Sequence, residues 1–241
     1  MNGRLDTPMP ERVVRELAAA AAALVTDHDV LGTVTNLLAG CERCLGATGS
    51  GIVVSRPDDQ RLEFLAATSH RAEDIELYQA QTEQGPAADS IASGEPVSIG
   101  GPRFVERWPG LAEQAKARGF KSIYAHPLRW RGQTLGALNL FFAGDEAPAG
   151  TEPVAQAFSD LATVVIVHSG SVSITHVIGQ LRNALSDRVL IEQAKGVLAY
   201  TENLTIDTAF GRLLTMSAES GRPLSEVASD IVENLAHPHS P

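Results

Sequence analysis

Cysteine is nearly absent. The chain holds two in 241 residues, Cys41 and Cys44, written C-E-R-C. No second C-x-x-C follows that would complete a four-thiolate metal site. Two readings stay open: a redox pair or half a metal site, and two small residues one turn apart on a helix. Long apolar runs are also missing. No stretch has 18 uninterrupted apolar residues, so no membrane span is expected. Ala18 to Val25 is apolar but short, and it follows Glu11, Arg12, Arg15 and Glu16. That is not the layout of a secretory signal, and a cytoplasmic location is expected. The common catalytic signatures are absent too: G-x-G-x-x-G, a Walker loop, H-E-x-x-H and G-x-S-x-G. No carboxylate pair is recognisable as acid and base. An enzyme is therefore not expected, and no catalytic residue or metal site is assigned. The one enzymatic reading left is thiol chemistry at Cys41 and Cys44.

What is present suits a soluble globular protein, with 44% hydrophobic and 20% charged residues. The length allows one large domain or two small ones. A formal net charge of −10 argues against wholesale wrapping of nucleic acid, though not against a local basic patch. Such a patch exists on paper. Across residues 103–131, Arg103, Arg107, Lys116, Arg118, Lys121, Arg129 and Arg131 stand against only Glu106 and Glu113. The stretch can be an extra RNA surface, the mouth of an anionic-ligand site, a face for an acidic module, or scattered solvated charge.

Along the chain, residues 1–10 lack pattern and read as a loose arm. Helical spacing runs from Glu11 to Leu45, interrupted near residues 26–29, where Asp27 or Asp29 is a candidate cap. The period then changes. Strands are expected at 51–55, 61–69 and 96–100, with helices at 71–81 and from Pro86 to Gly94. A single helix is expected from Arg103 to Gly119. A hairpin follows, 122–130 and 134–143, around Arg131-Gly132-Gln133, then a helix over 154–168. Nothing after Glu152 reads as a strand. Helices flanking antiparallel strands point to an α+β domain, followed by an all-helical module from about residue 172. Ile174, Val177, Leu181 and Ala184 recur at 3-4-3 spacing, which suits an inter-helix seam.

Residues 184–200, ALSDRVLIEQAKGVLAY, form good helix except for Gly196. A mid-helix glycine costs about 1 kcal/mol relative to alanine. On a helical wheel, Leu190, Ile191, Ala194, Val197 and Leu198 share the core arc, and Arg188, Glu192, Lys195, Gly196 and Ala199 share the polar side. A bare backbone patch beside two cations admits a phosphate; the other reading is a solvated face with a tolerated glycine. Two short helices follow. One is capped by Thr205, and the other starts after Gly221-Arg222-Pro223, so three helices make a small bundle.

This order, ALSDRVLIEQAKGVL and then TIDTAFGRLLTMSAESGRPLSEVASDIV, resembles an ANTAR domain over about residues 181–235. The resemblance implies binding of RNA hairpins in nascent transcripts and control of termination. Arg188, Lys195 and Gly196, with Arg212 and Arg222, are the RNA-binding candidates. The chain departs from the pattern at Thr201, where a basic residue is usual. Residues 181–241 also hold five Lys or Arg against eight Asp or Glu, so dimerisation is expected to supply affinity.

The front of the chain resembles a GAF domain over roughly residues 11–170. QGPAADSIASGEPVSI and WPGLAEQAKARGFKSIYAHPLRWRGQTLGALNLFF carry the likeness. It implies a six-stranded antiparallel sheet flanked by helices, which often holds a small ligand. Tyr78, Trp108, Tyr124, His126 and Asn139 are the pocket candidates. Ala87 stands where the family often has Cys, which excludes thiol chemistry centred there and removes one obvious attachment point for a linear tetrapyrrole.

The expectation is thus an arm (1–10), a GAF-like sensor (11–170), a linker helix with a three-helix ANTAR domain (171–235) and a tail (236–241). The partners expected are RNA hairpins, a second copy of the chain and a small-molecule effector of unknown identity, without a membrane. The alternative is a dimeric relay whose ANTAR module binds RNA weakly or not at all and acts through proteins.

Overall fold

The computed structural model describes residues 9–26, 30–56, 59–167 and 174–236. Two helices come first, α1 (Met9–Thr26) and α2 (Val30–Leu45). The expected caps Asp27 and Asp29 lie outside the described residues, as do residues 1–8 of the expected arm and 237–241 of the tail. β1 (Gly49–Ser55) and β2 (Leu62–Ala67) form an antiparallel pair with a register shift between Ile52 and Val53. α3 (His70–Thr82) starts where the Ser69 side chain accepts the N–H of Ala72, satisfying a donor that a helix start otherwise leaves unpaired. α4 (Pro86–Ser93) opens on a proline and closes at Gly94, whose φ of 68° needs no Cβ. β3 (Val97–Gly100) leads into α5 (Gly101–Arg107) and α6 (Pro109–Ala117).

The expected single helix at 103–119 is therefore two. Pro109 lacks an N–H and disfavours helical backbone in the residue before it. Trp108 accordingly has ψ 72° and separates the two.

β4 (Ser122–Trp130) and β5 (Gln133–Phe142) make the hairpin, and α7 (Thr151–Val167) follows. The turn is the pair Arg131 (φ 49°) and Gly132 (φ 81°). Two positive φ values match the right-handed twist of the strands they join. All strand neighbours are antiparallel, in the order β2-β1-β5-β4-β3. The sheet has five strands among the described residues, one fewer than the resemblance implied. The described segments outside these five fold as helices or connections.

Residues pair across β4 and β5 as Tyr124 with Leu140 and Ala125 with Asn139, and successive residues face opposite sides. One face carries Ile52, Val54, Leu128, Leu138 and Leu140 against Leu38 of α2 and Phe158 of α7. The other carries Ile123 and Phe141 against Ile75 of α3, Leu111 of α6 and Phe120. Burying each such side chain contributes about 1.5–3 kcal/mol.

α8 (Ile174–Thr201), α9 (Ile206–Ser220) and α10 (Leu224–Ala236) complete the fold. No strand follows Phe142 among the described residues. Thr205 caps α9 by accepting the N–H of Thr208. Ile191, Ala194 and Leu198 of α8 meet Leu213 of α9 and Val227 of α10, and this core is continuous with that of α2 and α7. The C-terminal bundle thus packs against β2, α2 and α7 through α8, and against α2 also through α10. The Ile174–Val177–Leu181–Ala184 stripe lies in α8, but its side chains are outside the described residues.

Candidate nucleic-acid interface

Lys195 is 5% exposed. The helical repeat sets it only about 40° from Ile191, so docking α8 on its apolar arc carries the lysine inward. Its Nζ donates to Glu73 Oε2 at 3.1 Å and to both oxygens of Glu192 at 3.0 and 2.9 Å. It also stands 5.2 Å from the centre of the Phe210 ring. Arg188, one further turn pair up the helix, places its guanidinium 4.1 Å from the Phe64 ring centre and 3.9 Å from Glu73 Oε1. Burial lowers the Arg188 pKa from its ordinary value, against the pull of Glu192 and Glu73. At the same junction His70 donates its backbone N–H to Asp207 Oδ1 at 2.7 Å, a carboxylate at the N-terminus of α3. A cavity of about 30 Å³ lies among these groups.

The expected polar side is thereby divided. Arg188 and Lys195 face α3 and β2, and Gly196 faces solvent. A Cβ built on Gly196 meets nothing within 4 Å, so no neighbouring helix requires the glycine. Around it the exposed surface includes Val189 at 55% and Tyr200 at 88%. Arg212 and Arg222 are exposed, apart from the α3 junction. Arg212 sits 3.7 Å from Glu202, and Arg222 sits 2.6 Å from Asp230 and 3.4 Å from Glu226. The Arg222 side chain holds the Asp230 carboxyl below its usual range. Such exposed pairs are screened by salt and exchange readily for another anion.

The five pocket candidates do not converge. Tyr124 and His126 lie on the sheet face toward α7; Asn139 lies on the opposite face with α3, and Tyr78 and Trp108 belong to that side's packing. Adjacent strand positions point oppositely, which separates them. His126 is buried with Nδ1 3.2 Å from the Pro127 carbonyl, and burial lowers its pKa. Asn139 Nδ2 donates to both oxygens of Glu76 at 2.9 and 2.8 Å, and Gln79 Nε2 donates to the same carboxyl at 3.1 Å. Gln79 Oε1 in turn accepts the Ala87 N–H at 3.0 Å, tying α3 to the start of α4. Burial pushes Glu76 up to about 8, although both amides pull the other way. A groove of about 550 Å³ opens elsewhere, between Ser55, Gln60, Leu62, Glu83, Ile91 and Thr134. None of the five candidates lines it.

The basic stretch is largely neutralised from outside itself. Arg107 pairs with Asp89, Arg118 with Asp74 at 2.8 Å, Lys121 with Asp145 at 3.8 Å and Arg129 with Glu95 at 3.5 Å. Counting within 103–131 misses all four carboxylates. Cys41 and Cys44 are both buried and unbonded. Burial raises both thiol pKa values, which disfavours the thiolate that thiol chemistry needs.

Sequence reasoning missed Glu73 and Glu76. A signal for Glu76 was available, because it shares the helical face of Ala72, Ile75 and Gln79 and so had to be buried with them. Glu73 gave none, since beside His70 at 3.6 Å its partners Lys195 and Arg188 lie more than a hundred residues away.

A family model for the GAF domain matches residues 11–166 and one for the ANTAR domain matches residues 179–232. Among solved structures, the GAF domain of an Acinetobacter phosphoenolpyruvate-protein phosphotransferase is similar at 13% identity. It covers 69% of this chain and 96% of its own, with a TM-score of 0.53. A free methionine-R-sulfoxide reductase from Neisseria meningitidis is similar at 14% identity, covering 76% and 98%, with a TM-score of 0.46. The GAF domain of a phosphoenolpyruvate-protein phosphotransferase from Coxiella burnetii follows at 13% identity, 76% and 99% coverage and a TM-score of 0.48. No curated protein matches the chain.

Proposed function

Because this chain belongs to the GAF-domain family and carries an ANTAR domain, we propose that it is a signal-responsive regulator that binds RNA hairpins in nascent transcripts and controls termination. A GAF–ANTAR architecture is typical of regulators rather than enzymes. The observation that carries the proposal is Gly196. It sits mid-helix in the matched segment, exposed, with open space where a side chain would stand. A glycine there lowers helix stability by about 1 kcal/mol, and no packing contact explains it. Close approach of a phosphate backbone does. Arg188, Lys195, Arg212 and Arg222 are the cations assigned to that backbone. A homodimer is part of the proposal, and so is a small-molecule effector on the sensor, for which the groove beside Glu83 offers room.

The test is Gly196→Leu. Its melting temperature should hold or rise, and hairpin affinity should fall at least tenfold in a gel shift. A variant that melts lower yet still binds RNA at wild-type affinity refutes the role given to Gly196.

One observation favours the second reading, a relay acting through protein partners. All four assigned cations already face carboxylates of their own chain, while Val189 and Tyr200 offer apolar surface. Failure of the wild type to shift any stem–loop RNA at low salt would select it.

A further inference from the structure

The four cations proposed to meet RNA are not equally reachable. Arg212 and Arg222 are exposed and, among the described residues, pair with carboxylates that are themselves in solvent. Lys195 is enclosed, and the group enclosing it from the other module is one carboxylate, Glu73 of α3. Its side chain is 8% exposed, with one oxygen 3.1 Å from Lys195 and the other 3.9 Å from Arg188. A carboxylate and an RNA phosphate present the same chemistry to these cations, an anionic oxygen pair that accepts charge-assisted hydrogen bonds. Both cannot occupy Lys195 Nζ, which also holds Glu192.

Building on the RNA-binding proposal, we infer that Glu73 is an intramolecular rival of the RNA phosphate, holding Arg188 and Lys195 closed until α8 and α9 leave α3. The contacts across this junction support a hinged latch. Besides Glu73 with its two cations, Asp207 at the start of α9 holds the His70 N–H of α3. Both anchors on the sensor side lie within the first turn of α3, so a shift of that one turn releases Lys195 and Arg188 from Glu73 and Asp207 from the His70 N–H together. Phe64 and Phe210 shield the pair from water, which strengthens it in the closed form. RNA affinity then has two levels. The closed chain offers RNA the exposed Arg212 and Arg222, and the open chain adds Arg188 and Lys195. With a largely closed population, apparent affinity is reduced by the open fraction.

The experiment uses the full chain and a fluorescein-labelled stem–loop RNA with a randomised loop, followed by anisotropy at low and moderate salt. Glu73→Gln keeps the side-chain length and removes the charge. It should bind at least tenfold more tightly than wild type, and adding Lys195→Gln should abolish the gain. Equal binding by wild type and Glu73→Gln overturns the latch while leaving the RNA function standing. No binding by any form removes the RNA function and the latch with it. If Glu73→Gln does not melt cooperatively, Asp207→Ala opens the other half of the same junction; a gain in affinity supports the latch and none overturns it.

Discussion

Glu76 should make the stability of the GAF domain depend on pH. Its carboxyl is fully enclosed, reached by two amide N–H groups and, among the described residues, by no ion pair. Burial moves its pKa from an ordinary 4.5 to about 8. The folded state therefore keeps a proton that the unfolded chain releases. That contribution to stability is complete below pH 4.5 and is lost as pH rises through about 8. Within the window the slope is about 1.4 kcal/mol per pH unit. Between about pH 5.5 and 7.5 the wild type should lose about 3 kcal/mol from this group, or about 6–12 °C in melting temperature for a domain of this size. Glu76→Gln removes the titration and preserves the shape. Asn139 Oδ1 is buried without a partner, and by turning its amide over Asn139 can accept a hydrogen bond from the protonated carboxyl or from the new glutamine. Thermal melts of both proteins across the range, followed by circular dichroism, should give curves that diverge with rising pH, the variant becoming the more stable. Parallel curves would refute the assignment of a neutral carboxyl.

Two further outcomes can be checked, one from the core packing and one from the proposed dimer. Cys41 and Cys44 should react with a disulfide reagent only at the rate of unfolding, in native buffer and with the absorbance of released thiolate as readout; fast reaction of either would contradict their burial. Light scattering at micromolar concentration should give about twice the chain mass, and a 25.5 kDa species alone would refute the dimer.

The order of elements was legible because it depends on local signals. Gly94, the Arg131-Gly132 turn and the Thr205 cap each sit where the sequence put them. The break at Trp108 was legible as well, had the rule against helix before proline been applied to Pro109. The candidate site was less legible. A helical wheel sorts residues by angle, and it placed Lys195 with Gly196 because both are polar or bare. Which arc is covered depends on what docks there, and a lysine 40° from the core arc is covered when a carboxylate waits opposite (about one side chain's width on the wheel). Glu73 is 122 residues away from its lysine. The basic stretch at 103–131 failed for the same reason, since its counter-charges Asp74, Asp89, Glu95 and Asp145 come from other parts of the chain.

α3 touches two places that β2 also reaches, through Phe64 at one and Leu62 at the other. Its first turn, with His70 and Glu73, grips α8 and α9; its C-cap residue Glu83 borders the groove beside α4. Between them run 13 residues, about 20 Å of helix at 1.5 Å per residue, pinned to the sheet midway by Glu76 and Asn139. A hydrogen-bonded helix of that length moves as a rod, so its ends are not independent. Thermodynamic linkage then imposes a symmetry: whatever factor a molecule in the groove applies to RNA affinity, RNA must apply to the affinity of that molecule. If the chain binds RNA and a groove ligand as proposed, the transcript is an effector of the GAF domain as much as that domain is of the transcript.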